Sequence, residues 1–291
     1  VQADEVAKAS RYRRPVKDAP ALVGKENPDA RTFVVGRLML RKVCQTMLDC
    51  EFDDVTVAVS KEGKPFLTLH TASSFPCFNF NISHSDERIL VGTDDAFLMG
   101  VDVMGTGLPR GNTSAEAFFH GMRHILNTSE WKLVRNAGTS SRQLLRFFTF
   151  WVLKEAYVKA LGIGLQQGLE TLCFSPEFEG LFPGEIDSSS SSSGDGDNAS
   201  TTSVKPSHPN VRWSLEVNGE IVEQMLAQSG YDASVVWAVV YLPFSANKAG
   251  DYGENLTTYA RRLLPSTGAL LSVHPVPNLR VIRDPTMLFP L

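Results

Sequence analysis

Gln143-Leu144-Leu145-Arg146-Phe147-Phe148-Thr149-Phe150-Trp151-Val152-Leu153-Lys154-Glu155-Ala156-Tyr157-Val158-Lys159-Ala160-Leu161 reads as one helix, apolar on nearly every side and stopped by Gly162-Ile163-Gly164. A helix that is apolar all round belongs in a core. Lys154, Glu155 and Lys159 interrupt it, and charge taken out of water without a partner is costly, so each needs compensation. Glu155 and Lys159 stand i,i+4; on an exposed helix that would be a surface ion pair contributing about 0.2–0.5 kcal/mol, too little for a buried one.

Working outward, residues 31–50 place Val34, Val35, Leu38, Met39 and Val43 at mixed three and four spacings, with Arg31, Arg37, Arg41 and Lys42 as a polar side, which predicts an amphipathic helix. Residues 55–59 alternate as a short strand, Gly63-Lys64-Pro65 turns the chain, and 89–93 with 97–103 are expected to form a hairpin joined at Asp94-Asp95. Strands are expected at 171–174, 211–217 and 235–241. Each half of the chain thus presents a long helix and a set of short strands. Residues 187–203 are nearly all Ser, Gly, Asp, Asn and Thr, which cannot bury enough apolar surface to offset ordering, so a disordered insertion is expected there. Beyond Pro243 only 255–264 has helical character.

A chain of 291 residues with 43% hydrophobic and 21% charged residues has the balance of a soluble globular protein. No run reaches the roughly 20 apolar residues that span a bilayer, and residues 1–10 lack a signal-peptide pattern. The four cysteines, Cys44, Cys50, Cys77 and Cys173, lack zinc-site spacing and are too few to staple this length, so a reducing cytoplasm is the expected compartment. The sequons at Asn81, Asn112, Asn127, Asn198 and Asn255 are short patterns that arise by chance. A net charge of −4 argues against nucleic-acid binding, so any anion site must be local. His120 and His124 have the spacing of a zinc-protease helix without its glutamate, and Gly162, Gly164 and Gly168 miss the dinucleotide spacing.

Asp102 follows the apolar run Phe97-Leu98-Met99-Gly100-Val101, which puts a carboxylate near a strand end, and Gly100 permits close approach of another chain or a ligand. The plain alternative is a capped turn before Gly105-Thr106-Gly107. Ser83 and His84 are read as a turn that could present a hydroxyl, an imidazole and backbone N–H groups to phosphate, the alternative being only a capped turn.

Asn81-Ile82-Ser83-His84-Ser85, Gly100-Val101-Asp102-Val103-Met104 and Trp151-Val152-Leu153-Lys154-Glu155-Ala156-Tyr157-Val158-Lys159-Ala160, in this order, resemble the surfactin-type 4'-phosphopantetheinyl transferases over residues 31–174. Gly36-Arg37-Leu38-Met39-Leu40-Arg41-Lys42, Gly63-Lys64-Pro65 and Phe118-Phe119-His120 look like the eukaryotic aminoadipate-semialdehyde dehydrogenase branch, and the serine-rich insertion suggests a fungal source. The resemblance implies an α+β fold of two similar α/β halves related by a pseudo-two-fold, each a long helix on a small, mainly antiparallel sheet, with the ligand in the cleft between them. The expected boundaries are 1–95, 96–246 and a C-terminal extension, 247–291.

The implied activity is that of a holo-[acyl-carrier-protein] synthase. It moves the phosphopantetheine arm of coenzyme A to a serine of apo acyl or peptidyl carrier proteins, serving fatty-acid, polyketide and non-ribosomal peptide synthases and the lysine-pathway reductase, and the chain is expected to act as a monomer. By resemblance Asp102 and Glu155 hold Mg²⁺ or Mn²⁺, Glu155 accepts the serine proton, and Asp102, Glu155 and Lys159 form the catalytic set. Lys64, Ser83, His84, Lys154 and Lys159 contact coenzyme A phosphates, and Arg11, first among the basic cluster Arg11, Arg13, Arg14 and Lys17, its 3'-phosphate. Two departures are visible: Met104 stands where many bacterial relatives carry a second acid, and Thr149 where an arginine is frequent. Phe118-Phe119 is a candidate docking patch for the carrier.

Overall fold

Thr139 starts the central helix: its Oγ1 accepts the N–H of Arg142 at 3.3 Å, the chain is helical over Ser140–Leu161, and Gly162, at φ 72°, closes it in left-handed backbone that glycine adopts without strain. The computed structural model describes residues 28–60, 63–68, 78–85, 88–95, 97–163, 168–177, 182–183, 211–223, 225–232 and 234–243. Arg11 and its basic neighbours, the 187–203 insertion, the 255–264 helix and the 247–291 extension lie outside them.

In chain order the described elements are α1 (Pro28–Leu48), β1 (Val57–Val59), β2 (Pro65–Leu67), β3 (Asn79–Ser85), β4 (Arg88–Asp94), β5 (Leu98–Gly105), α2 (Ala115–Gly121), α3 (Thr128–Arg135), α4 (Ser140–Leu161), β6 (Leu172–Pro176), β7 (Val211–Val217), β8 (Glu220–Ile221), β9 (Leu226–Asp232) and β10 (Val235–Leu242). Six strands form a sheet in which β5, β10, β9, β7 and β6 follow one another and β8 hangs on β7; β1 with β2, and β3 with β4, make separate two-stranded sheets. Every pairing is antiparallel, and the class is α+β. Among the described residues no helix is long and apolar enough to cross a membrane.

α4 lies in the main core, where Phe147, Phe150, Leu153 and Ala156 meet Trp213, Val236 and Ala238 of the sheet. Its approach to β5 is backbone against backbone: a Cβ on Gly100 would stand 1.9 Å from the carbonyl oxygen of Ala156. Only a residue without a side chain fits there. A second core joins α1 to the β3–β4 hairpin through Leu40, Cys44, Val55, Phe78 and Phe80. A third, small cluster of Met99, Val101 and Val239, with Leu90 and Trp237 against it, fills the other face of β5.

The expected 89–93/97–103 hairpin is not formed. Both strands exist, but β4 pairs with β3 and β5 pairs with β10. The chain turns a corner between the two sheets instead, with Asp94 Oδ1 accepting the N–H of Phe97 at 2.6 Å and Asn79 Nδ2 donating to the carbonyls of Asp94 and Phe97 at 3.1 and 2.6 Å. The polar side drawn for α1 is also partly wrong, because Arg37 and Arg41 are buried. The Arg37 guanidinium stacks over the Phe33 ring at 5.3 Å, and Arg41 donates to the Arg37 carbonyl at 3.3 Å. Long arginine stems carry enough apolar length to be taken into a core edge in this way.

Candidate functional site

Asp102 sits within β5, on the face turned toward α4, and is 4% exposed. Its Oδ1 accepts two bonds, from Ser83 Oγ at 2.6 Å and from Lys159 Nζ at 2.5 Å, and Lys159 also reaches Ser83 Oγ at 3.2 Å. Three side chains from β3, β5 and α4 thus meet at one point. Lys159 pairs with Asp102 and not with Glu155, so the i,i+4 helical ion pair is absent.

Two carboxylate oxygens at this point are buried without a hydrogen-bond partner among the described residues: Asp102 Oδ2 and Glu155 Oε1. Burial, then the nearby Asp102 charge, pushes the Glu155 carboxyl above the usual carboxylate range, while the Lys159 ammonium pulls it back. A buried anionic oxygen left unsatisfied is costly, and a pair of them is the donor set of a hard cation. Among the described residues no group of three or more acidic, histidine or cysteine side chains gathers here, so water and substrate oxygens would have to complete the shell, as magnesium accepts. Met104 brings no oxygen; its sulfur takes the Ser85 hydroxyl at 3.8 Å.

Ser83 and His84 stand inside β3 rather than in a turn before a strand, and alternation puts His84 on the face opposite Ser83. Lys64 is buried and donates to the Ala160 carbonyl at 2.7 Å, the last turn of α4; burial lowers its pKa to about 7. Lys154 is fully buried, with its three donors on Glu130 Oε2 at 2.6 Å and on the carbonyls of Leu169 and Leu172 at 2.8 and 2.7 Å, which leaves no N–H for a phosphate. Burial pulls Lys154 down and pushes Glu130 up. Phe118 and Phe119 are core residues and present no docking face.

Glu130 escaped the sequence reading. It closes the capping box of α3 with Asn127 and accepts the N–H of Phe174 at 3.0 Å besides holding Lys154. Asn127 followed three residues later by Glu130 was the signal available.

Residues 8–95 match the family model described as 4'-phosphopantetheinyl transferase, N-terminal, and residues 99–193 match that of the 4'-phosphopantetheinyl transferase superfamily. The chain is 37% identical over 146 residues to the L-aminoadipate-semialdehyde dehydrogenase-phosphopantetheinyl transferase of Xenopus laevis, covering 50% of this chain and 48% of that one. To the protein of the same name from Homo sapiens it is 34% identical over 146 residues, 50% and 47% of the two chains. To the phosphopantetheinyl transferase of a Thraustochytrium species it is 31% identical over 155 residues, 52% and 53%. The chain spans about half the length of the curated relatives it matches.

Proposed function

Because this chain belongs to the 4'-phosphopantetheinyl transferase superfamily, we propose that it transfers the phosphopantetheine arm of coenzyme A to a serine hydroxyl of apo acyl or peptidyl carrier proteins. The observation that carries this reading is the meeting of Ser83, Asp102 and Lys159 beside two buried, unsatisfied carboxylate oxygens. Coenzyme A would lie between the two halves, 1–95 and 96–246, and the chain would work as a cytoplasmic monomer.

Asp102 and Glu155 would hold Mg²⁺, with Mn²⁺ as the substitute; when bound, the cation neutralises pyrophosphate charge. The carrier serine oxygen forms a bond to the β-phosphorus as the bond from that phosphorus to the bridging oxygen breaks, and 3',5'-adenosine bisphosphate leaves. Glu155 takes the serine proton, directly or through water; a carboxyl raised by burial is a better base than a free one. Lys159, already within reach of Asp102 and Ser83, offers its ammonium to the leaving phosphate. Phosphate contacts by His84 and Arg11 rest on resemblance alone.

The test is to incubate the chain with an apo carrier protein, coenzyme A and Mg²⁺ and weigh the carrier. The expected gain is about 340 Da, the mass of the transferred arm in this phosphoryl-transfer chemistry, and Glu155→Gln should abolish it. Coenzyme A binding with no gain on several carriers would mark a non-catalytic binding module instead.

A further inference from the structure

Phe78-Asn79-Phe80-Asn81-Ile82-Ser83-His84-Ser85 alternates apolar with polar residues through Ser83. In an antiparallel strand such a pattern ordinarily turns its polar face to water. Here Asn79, Asn81 and Ser83 are buried, and they face β5. That strand is paired through its backbone with β10 on one side only, and β3 belongs to a different sheet.

The polar face of β3 supplies what the open edge of β5 lacks. Asn79 Oδ1 accepts the N–H of Met99 at 2.9 Å, Asn81 Oδ1 that of Val101 at 2.9 Å, Ser83 Oγ that of Val103 at 3.4 Å and Ser85 Oγ that of Gly105 at 3.1 Å. Alternate side chains of one strand thus bond alternate N–H groups of the next, always twenty positions further on, so the strands run in the same direction. A slip of one residue would turn every one of these groups away.

The two middle rungs bracket Asp102. Ser83 takes the N–H on its C-terminal side and also donates to its Oδ1; Asn81 takes the N–H on its N-terminal side and bonds none of Asp102, Glu155 or Lys159. We propose that Asn81 is a positioning residue for the transfer reaction: through the Val101 N–H it fixes the backbone from which Asp102 reaches toward Glu155. The inference rests on the reading of Asp102 as a cation ligand. Groups that orient a ligand from behind it commonly set metal affinity as strongly as stability.

Asn79 is the internal comparison. It holds one rung and two carbonyls of the corner, more bonds than Asn81, but at the end away from Asp102. The experiment measures, on the full chain with coenzyme A present, Mn²⁺ affinity by electron paramagnetic resonance, exchange protection of the Val101 amide, and thermal midpoint. Asn81→Ala should lose the Val101 protection and weaken Mn²⁺ binding by about tenfold or more, the usual scale for such supporting groups. Asn79→Ala should melt earlier than Asn81→Ala yet keep Mn²⁺ affinity within about twofold. Asn81→Asp keeps an acceptor oxygen for Val101 and should restore both protection and affinity. If the alanine variant does not fold, Asn81→Leu, of similar size but with no acceptor atom for the Val101 N–H, takes its place with the same expected loss. Unchanged Mn²⁺ affinity in folded Asn81→Ala, or an equal loss in Asn79→Ala, would overturn the positioning role. A wild-type chain that protects Val101 but binds no Mn²⁺ would overturn the cation reading of Asp102, and this inference with it.

Discussion

Lys64 shows how folding can change one residue's chemistry. Buried against the last turn of α4, it has its pKa lowered to about 7 by desolvation, against 10.5 for the free side chain. Between those values the unfolded chain binds a proton that the folded chain does not, so this group makes stability rise with pH across the window, by at most about 1.4 kcal/mol per pH unit. Below pH 7 both states are protonated and the full penalty for burying the charge is present; above 10.5 neither is, and it has gone. Lys64→Met should therefore flatten the dependence, gaining most relative to wild type at pH 6 and keeping only part of that advantage at pH 9. Urea denaturation at a series of pH values measures it, and parallel curves for the two proteins would show that Lys64 is solvated. The turn at Gly63-Lys64-Pro65 was legible in the sequence, but not this partner: the carbonyl of Ala160 is 96 positions away, and a backbone acceptor leaves no mark in composition.

At the scale of elements, α4 was the most legible feature, because an apolar surface on all sides has one resting place. Its N-terminus came three residues earlier than expected, at Ser140, since Thr139 supplies a cap that lies outside the apolar run. β3 was missed for the opposite reason. Its buried polar residues look like a solvated face or a turn, and only the open edge of β5 explains them. The mispaired hairpin has the same origin, since both strands were visible but the partners, β3 and β10, are set by tertiary contacts. Of the candidate site, Asp102, Glu155 and Lys159 were legible as charges on buried elements, whereas Lys154, which looks identical to them in the sequence, is a rivet to Glu130 and two carbonyls. That rivet predicts its own behaviour. Lys154→Met leaves Glu130 buried and still charged, and removing one partner of such a pair costs about 3–5 kcal/mol. Burial already raises the Glu130 pKa. A carboxyl whose folded pKa is raised favours the folded state as pH falls, so the loss should be smaller at pH 5 than at pH 8. Adding Glu130→Gln to Lys154→Met should recover part of it. Urea midpoints of the three proteins at both pH values decide, and a pH-independent loss would mean that Glu130 finds another cation or water.

At the scale of the molecule, the site exists only where two hydrophobic cores are joined. β5 is held by β10 through its backbone, by α4 at Gly100, and by β3 through side chains alone. Ser83 comes from the strand that belongs with α1, while Asp102, Glu155 and Lys159 come from the six-stranded sheet and α4. On the proposed function, coupling between the cores would be a condition of the chemistry, and the placement of the tryptophans makes it measurable. Trp131, Trp151, Trp213 and Trp237 are the four of the chain, and all lie in or against the α4 core or the cluster beside β5. Leu40 is fully buried in the α1 core, which contains no tryptophan. Leu40→Ala should cost about 2–5 kcal/mol, the range for emptying a core leucine. If the side-chain ladder and the α4 contact bind the two cores into one cooperative unit, tryptophan fluorescence will report the full loss, its urea midpoint falling together with that of far-ultraviolet circular dichroism. A fluorescence midpoint that stays at the wild-type value while the dichroism develops an earlier step would mean that the α1 core melts alone. Ser83 would then part from Asp102 well before the rest of the molecule unfolds, and transfer activity should follow the earlier step.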